Sequence, residues 1–554
     1  MKKKITHYIY IAFLLISFQG FFAQDFYLKL TSKNKSELLI LEKIDFQEKH
    51  KDSITIFKEV DKISNYLKNI GYFTNTIDSI KKIKKKYIAY FSLNYKVDKA
   101  VIKINKKDNF LFKKIEKENN KIIISIKKLQ ITLSDISKNL DKEGKSFSKV
   151  QLKNILIKNN TLFADLDIYR SKKRIINKVI IKGYENFPKS YLRNYFNIKP
   201  NTIINQQKIK EISDLSKNIQ FIKVIKPPEI LFTKDSTLLY MFLRKQQNNS
   251  FDGIINFASK ENGKVLFNGN IDLKLNNILN TGEKFNLFWN SIGEERQEFK
   301  ISTEIPYIFN SKFSPKLSFS IYKQDSSFIN TKFDSELFYN INSKTRIALI
   351  YNSESSENLE ETINNNIETF ENYFFGFQFR YNIPKNDYFF NNTFYLEVNP
   401  TFGKRNTSAN SLNQFKIKTI ISYLWNLNSN NSIFIKNETG YLNSDSFIDN
   451  EVFRIGGANS LRGFNEQSIF TNNYSYFNIE YRINTSNKSY LYSITDFAKV
   501  KANLNVNYLL GIGLGYRFFT KKSLINVGIV NGNNIKSTLN FKQTKFILSF
   551  INYF

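Results

Sequence analysis

The sequence predicts an α+β region of repeated small units followed by an all-β transmembrane barrel of sixteen strands. Three observations carry that expectation. An export address opens the chain, the first half cycles through strand, helix and strand-pair patterns, and from Phe251 onward apolar and polar residues alternate with the period of two that belongs to strands.

The address comes first. Lys2, Lys3 and Lys4 precede an apolar run from Tyr8 to Phe22 that ends at Ala23, before Gln24 and Asp25. This order predicts a cleavable signal peptide over residues 1–23. Ser17, Gln19 and Gly20 interrupt the run, which falls short of the roughly 20 apolar residues a spanning helix needs, so a membrane anchor is the weaker reading. The chain has no cysteine, which excludes disulfides and a lipid-bearing N-terminal cysteine. His7 and His50 are its two histidines, and His7 leaves with the signal. A histidine-based metal site or a Ser-His-Asp triad has almost nothing to be built from, so neither cofactor nor metal nor covalent catalysis is expected.

A chain of 554 residues exceeds one ordinary domain, and charge helps to divide it. Residues 24–250 hold 48 of the 82 lysines and arginines but 23 of the 49 acidic residues. Such an excess can steer acidic headgroups or acidic partners. Lys, Asn and Ile are abundant throughout, however, so a compositional origin is the simpler reading. The export signal argues against nucleic acid.

The first half reads as three α+β units over residues 24–97, 98–172 and 173–248, each within the size range of independently packed domains. The third is clearest. Lys178 to Tyr184 reads as a strand, Pro188 to Phe196 and Asn205 to Ile219 as helices, and Phe221 to Leu231 with Leu238 to Arg244 as returning strands. In the second, Ala100 to Ile104 is a first strand, Leu133 to Leu140 a helix, and Val150 to Ile157 with Thr161 to Tyr169 a strand pair. In the first, Ile54 to Ile70 has helical spacing and stops at Gly71-Tyr72-Phe73, with strands near Thr76 and from Tyr87 to Tyr95.

Residues 249–554 carry the barrel pattern. Phe375, Phe377, Phe379 and Tyr381 interleave with Gly376, Gln378, Arg380 and Asn382, and Phe477, Ile479, Tyr481 and Ile483 with Asn478, Glu480 and Arg482. One face is apolar and the other polar, as in a wall with lipid outside and a wet lumen inside. A soluble sandwich shares the period, but rings gathered at strand ends favour a membrane interface. About eleven strands precede residue 443 and five follow residue 473, an even total as bacterial barrels require. Long outer connections are expected at Ser353 to Glu368, Lys404 to Ser411, Asn443 to Asn473 and Asn531 to Gln543. Short inner ones are expected at Asn340 to Ser343, Asn426 to Asn430, Asn484 to Lys488 and Thr520 to Lys522.

Between those strand groups lies Arg454-Ile-Gly-Gly-Ala-Asn-Ser-Leu-Arg-Gly-Phe464, which resembles the sixth extracellular loop of the BamA/TamA outer-membrane assembly family. The resemblance implies that Arg462, Gly463 and Phe464 fold back into the lumen, with Gly456 and Gly457 supplying the tight backbone and Glu480 and Asp496 as acidic partners of Arg462. Asn277 to Gly282 is similar to the family's Asn-x-x-Gly-Thr-Gly turn, with Asn280 in place of the first glycine. Asp496 matches the aspartate of a Phe-x-Asp-x-Gly strand, although Ile494 and Ala498 replace its neighbours. Val179 to Phe187 and the strand, two helices, two strands order resemble a POTRA domain. Gly511, Gly513 and Gly515 mark a strand with a smooth inner face, and Phe546, Leu548, Phe550 and Phe554 form a terminal strand ending in an aromatic.

Three such units and sixteen strands are closest in plan to the TamA type. The resemblance implies residence in the bacterial outer membrane with the POTRA units in the periplasm. The implied partners are unfolded outer-membrane proteins, membrane lipid and a periplasm-spanning inner-membrane protein. It also implies insertion through a lateral seam between first and last strands. The alternatives are a two-partner-type secretion pore and a passive barrel on a periplasmic stalk.

Overall fold

The computed structural model describes residues 26–112, 117–118, 120–259, 265–292, 296–360, 366–385, 387, 389, 392–502, 505–536 and 543–554. The signal-peptide expectation for residues 1–23 lies outside the described residues. The chain divides into two compact units, one up to Arg174 and one from Ile175 to Phe554.

The first unit holds two α+β layers. In the N-terminal layer, Phe26–Thr31 and Lys86–Ser92 run parallel at the centre of a four-stranded sheet edged by Lys49–His50 and Thr76–Ile83. Asp52 caps the helix Ser53–Asn69 by accepting from the Thr55 amide. Ile56, Val60, Ile63 and Leu67 recur at helical spacing and are buried against Leu28, Leu30, Ala89 and Phe91. Gly71 stops the chain in a left-handed turn where a Cβ would meet the Val97 carbonyl at 2.1 Å.

The second layer departs from the sequence expectation. A strand, Lys121–Ser125, pairs with Lys99–Lys103, and the helix begins at Ile126 and runs to Lys142. The reason is local: Ile122 and Ile124 alternate inward in a β-branched run and bury against Ala100 and Ile102. The helix follows with no intervening residue, so the two patterns blur in sequence.

The second unit opens with a three-stranded sheet, in which Thr237–Lys245 lies between Lys178–Lys182 and Ile222–Phe232. Helices Lys189–Asn194 and Gln206–Lys217 pack on it around Phe187, Phe196, Ile212, Leu239 and Met241. Asn205 caps the second helix at the Lys208 amide.

The remaining strands form a closed antiparallel barrel of sixteen, eleven before and five after a small hairpin of Phe453–Ile455 and Ile469–Thr471. The alternation sets its faces. Phe375, Phe377, Phe379, Phe477, Ile479 and Tyr481 stand exposed on the outside, while Gln378, Asn478, Glu480 and Arg482 are buried within. Among the described residues no helix is long and apolar enough to cross a membrane.

The expected sorting of loop lengths holds for the four short inner connections, 341–344, 427–430, 487–488 and 520–522, and for the outer connections 359–369, 444–472 and 535–543, and fails at the outer loop expected over 404–411. The sixth strand, Phe328–Asn340, has 13 residues and the ninth, Asn392–Thr407, has 16, more than the roughly 9–11 that cross a bilayer. Residues expected in loops therefore extend the ladder, and the outer turns at 325–327 and 408–410 are as tight as inner ones. Conversely, the inner connections 277–283 and 305–312 are long because they meet the third α+β layer. Residues 361–365 and 537–542 of two expected outer loops lie outside the described residues.

Candidate functional site: the lumen loop and the seam

Period-two alternation on the twelfth strand, Asn473–Ser486, turns Tyr474, Tyr476, Asn478, Glu480 and Arg482 inward. On the thirteenth, Ser489–Ala502, it does the same for Ile494, Asp496 and Ala498, with Asn478 directly opposite Asp496. The long loop 444–472 brings Arg462 to this wall. Its Nη2 donates to Asp496 Oδ1 at 2.6 Å, its Nε to Asp496 Oδ2 at 2.9 Å, and its Nη1 to Glu480 Oε1 at 2.5 Å. The Arg462 backbone amide donates to Asp496 Oδ2 at 2.9 Å. Asp496 is 0% exposed and Arg462 7%, so this is a buried, two-carboxylate fork of the strongest hydrogen-bonding kind. Ile494 and Ala498, the departures from the family pattern, line the wall on either side of Asp496 without displacing it.

The loop reaches that depth because glycines of the fourteenth strand, Asn505–Phe519, and the fifteenth, Ser523–Asn534, lie where it lands. A Cβ on Gly511 would meet the Arg462 carbonyl at 2.3 Å, and one on Gly463 would meet the Gly532 backbone at 2.8 Å. Gly515 makes room in the same way for the Tyr492 ring, and Gly513 for the backbone of Ile529. Gly456, Gly457 and Gly463 all have left-handed φ, between 95° and 113°. The Gly457 amide donates to the Leu461 carbonyl at 3.1 Å and the Gly456 amide to Ser460 Oγ at 2.9 Å, closing the turn before Arg462. Phe464 packs against a cluster of Ile455, Leu461, Tyr474, Tyr476, Ala498 and Val500.

Several members of the site were not singled out from sequence. Leu461 is fully buried at the head of that cluster. Arg482 Nη2 lies 2.7 Å from Glu480 Oε2, so Glu480 is shared between two guanidinium groups. Tyr474 and Tyr476 both donate to Glu438, which also pairs with Lys418 at 2.9 Å. Inward parity, which had already turned Arg482 to the lumen, was the available signal for Tyr474 and Tyr476 as well; Leu461, in a loop, offered none.

The seam lies elsewhere on the wall. The first strand, Ser250–Ser259, meets the last, Thr544–Tyr553, at two register pairs, Ser250 with Tyr553 and Phe251 with Asn552. The neighbouring ladders have ten pairs and nine. Phe546, Leu548 and Phe550 are exposed on the last strand, and Phe554, exposed as well, follows its end. Asn552 accepts from Ser523 Oγ at 3.2 Å, which accounts for a polar residue in that row.

Residues 174–237 match the family model described as POTRA, surface antigen variable number repeat. That POTRA repeat stands directly before the sixteen-stranded barrel, so the chain has the fold of a POTRA-bearing barrel. Among solved structures it is similar to CdiB from Acinetobacter baumannii, at 15% identity and TM-score 0.51 over 83% of this chain and 90% of that one. It is similar also to CdiB from Escherichia coli, at 11% identity and TM-score 0.51 over 89% and 98%. BamA from Haemophilus ducreyi lacking POTRA domains 1–3 aligns at 15% identity and TM-score 0.47 over 83% and 100%. No curated protein matches the chain by sequence.

Proposed function

We propose that this chain is an outer-membrane protein assembly and insertion factor. Its POTRA units receive unfolded barrel proteins in the periplasm, and its barrel passes their strands into the bilayer through the seam. The observation that supports this reading is the contrast between a plugged lumen and a weakly held wall. Arg462 is fixed to Asp496 and Glu480 within the barrel, whereas two register pairs join its first and last strands. A strand edge with open backbone donors and acceptors is a template for another chain. The exposed Phe546, Leu548 and Phe550 keep that edge apolar, so a guest strand can exchange hydrogen bonds there without leaving the hydrocarbon layer. Lipid is the second partner under this reading, and a periplasm-spanning inner-membrane protein the third.

The chain has no cysteine, so a pair placed at Ser250 and Tyr553, which face each other across the seam, can be bridged without competition. In cells depleted of the native protein and supplied with this variant, bridging is expected to lower outer-membrane barrel proteins broadly, and reduction to restore them. Loss of one secreted protein alone would instead indicate a dedicated secretion pore. Unchanged levels of both would leave a passive stalked barrel.

A further inference from the structure

A second buried ion pair holds the same loop far from Arg462. Arg405, inward on the ninth strand, pairs through Nη1 with Glu451 of the loop, and both side chains are 1% exposed. Arg405 Nη2 donates to Ser446 Oγ at 2.8 Å, and Gln414 of the tenth strand donates to Glu451 Oε2 at 2.9 Å. The next residue back, Asn450, is fully buried: it donates to Ser356 Oγ and to the Glu368 carbonyl at 2.7 Å each, and its own carbonyl accepts from Asn330 at 2.7 Å. Five separate strands or their ends thus grip residues 446–451.

The two ion pairs stand at different heights. Following the ladders from Asp496 through Asn478, Lys436 and Ser422 leads to Tyr395 on the ninth strand. Arg405 lies ten positions further along that strand, two residues from its outer end, whereas Asp496 lies six residues from the outer end of the thirteenth strand. The two sets of ion pairs share no residue, so either can be removed while the other keeps its partners.

We propose that Arg405 and Glu451 are positioning residues that form an outer pin for the lumen loop, so that release of Arg462 by itself leaves the limb 446–451 across the outer mouth. The proposal rests on the loop acting as the barrel's plug, and holds whether the barrel inserts proteins or secretes them. Breaking one partner leaves an uncompensated buried charge, which the site cannot hydrate without opening. A solvated surface pair of this kind would have no such effect.

The test is single-channel conductance of the purified full chain in planar bilayers, on variants whose barrels still shift with heating on gels. Arg462→Ala is expected to stay close to wild type, and Arg405→Met with Arg462→Ala to conduct several-fold more than either single variant. Glu451→Gln combined with Arg462→Ala carries the same test if Arg405→Met does not fold. The exchange Arg405→Glu with Glu451→Arg, on the Arg462→Ala background, is expected to return conductance to the low level. Double variants that conduct no more than Arg462→Ala, or an exchange that fails to close the pore, would overturn the second pin. Neither readout depends on barrel-protein assembly, so failure here is distinct from failure of the assembly reading.

Discussion

Tyr184 donates its phenolic hydrogen to Asn280 at 2.6 Å, joining the turn that follows the first strand of the third α+β layer to the first inner turn of the barrel. Asn280 is the position where the family-like turn lacks its glycine, and it holds left-handed backbone at φ 58°, which asparagine tolerates better than most residues. Its amide oxygen also accepts from Lys245 at 3.0 Å, and the fully buried Asn277 donates back to the Tyr184 oxygen at 2.8 Å. Gly282 completes the joint: a Cβ there would overlap the Tyr191 ring at 2.3 Å, and that ring stacks edge-on against Tyr307 of the next inner connection.

Removing the hydroxyl at the centre of this joint has a defined cost. Tyr184→Phe leaves the Asn277 amide buried without its partner, and is expected to destabilise the chain by about 1–3 kcal/mol. Asn280→Gly loses hydrogen bonds but relaxes left-handed backbone, so it is expected to cost less than Tyr184→Phe. Denaturant midpoints of the purified full chain compare the two; equal losses would refute the assignment.

Arg462→Ala strands Asp496, fully buried, beside Glu480 with one guanidinium in place of two. The expected destabilisation is about 3–5 kcal/mol. Arg462→Lys is expected to recover little, because a point ammonium cannot span both carboxylates as the guanidinium fork does. The temperature at which the barrel loses its compact gel mobility reads out both variants.

A glycine should matter as much as the arginine it supports. Gly511→Ala removes no charge, yet its methyl would sit 2.3 Å from the Arg462 carbonyl, and backbone on both sides leaves little to give way. The loop tip is expected to unseat, so that protease cuts near residue 462 in this variant and spares wild type. Protection equal to wild type would mean that the wall yields instead.

The inner turn also predicts a pH response. Burial pushes the Glu283 carboxyl up, but hydrogen bonds from the Thr281 hydroxyl and from the Leu279 and Thr281 amides hold it below the usual carboxylate range. A lowered folded-state pKa contributes stability that is full above the unfolded value, about 4.3, and is lost as pH falls through the folded value. Amide exchange across residues 277–283 is therefore expected to be slower in wild type than in Glu283→Gln at neutral pH. That advantage should disappear in acid; a difference that persists below the carboxylate range would count against it.

Alternation along single strands made much of the wall legible. Glu480 and Arg482 could be assigned to the lumen, and Phe477 to the outside, because side-chain direction in a strand depends on parity alone, whereas Asp496 was reached through the family-like strand motif. The strand Lys121–Ser125 was hidden because its isoleucines run straight into a helix with no turn residue between them. The outer loop expected over 404–411 misled because the ninth strand absorbed Lys404 and Arg405 into the ladder.

By itself the sequence determined the order of layers and the number and facing of the strands, and its resemblance to a known loop pointed to the arginine that seeks acid. The first two follow from local periods. Only the tertiary structure decided that Arg405 meets Glu451, that Tyr184 meets Asn280, and that the seam has two register pairs. Each depends on the accumulated register of many ladders and on where a long loop comes to rest. Parity says which way a side chain points but leaves open what stands opposite it.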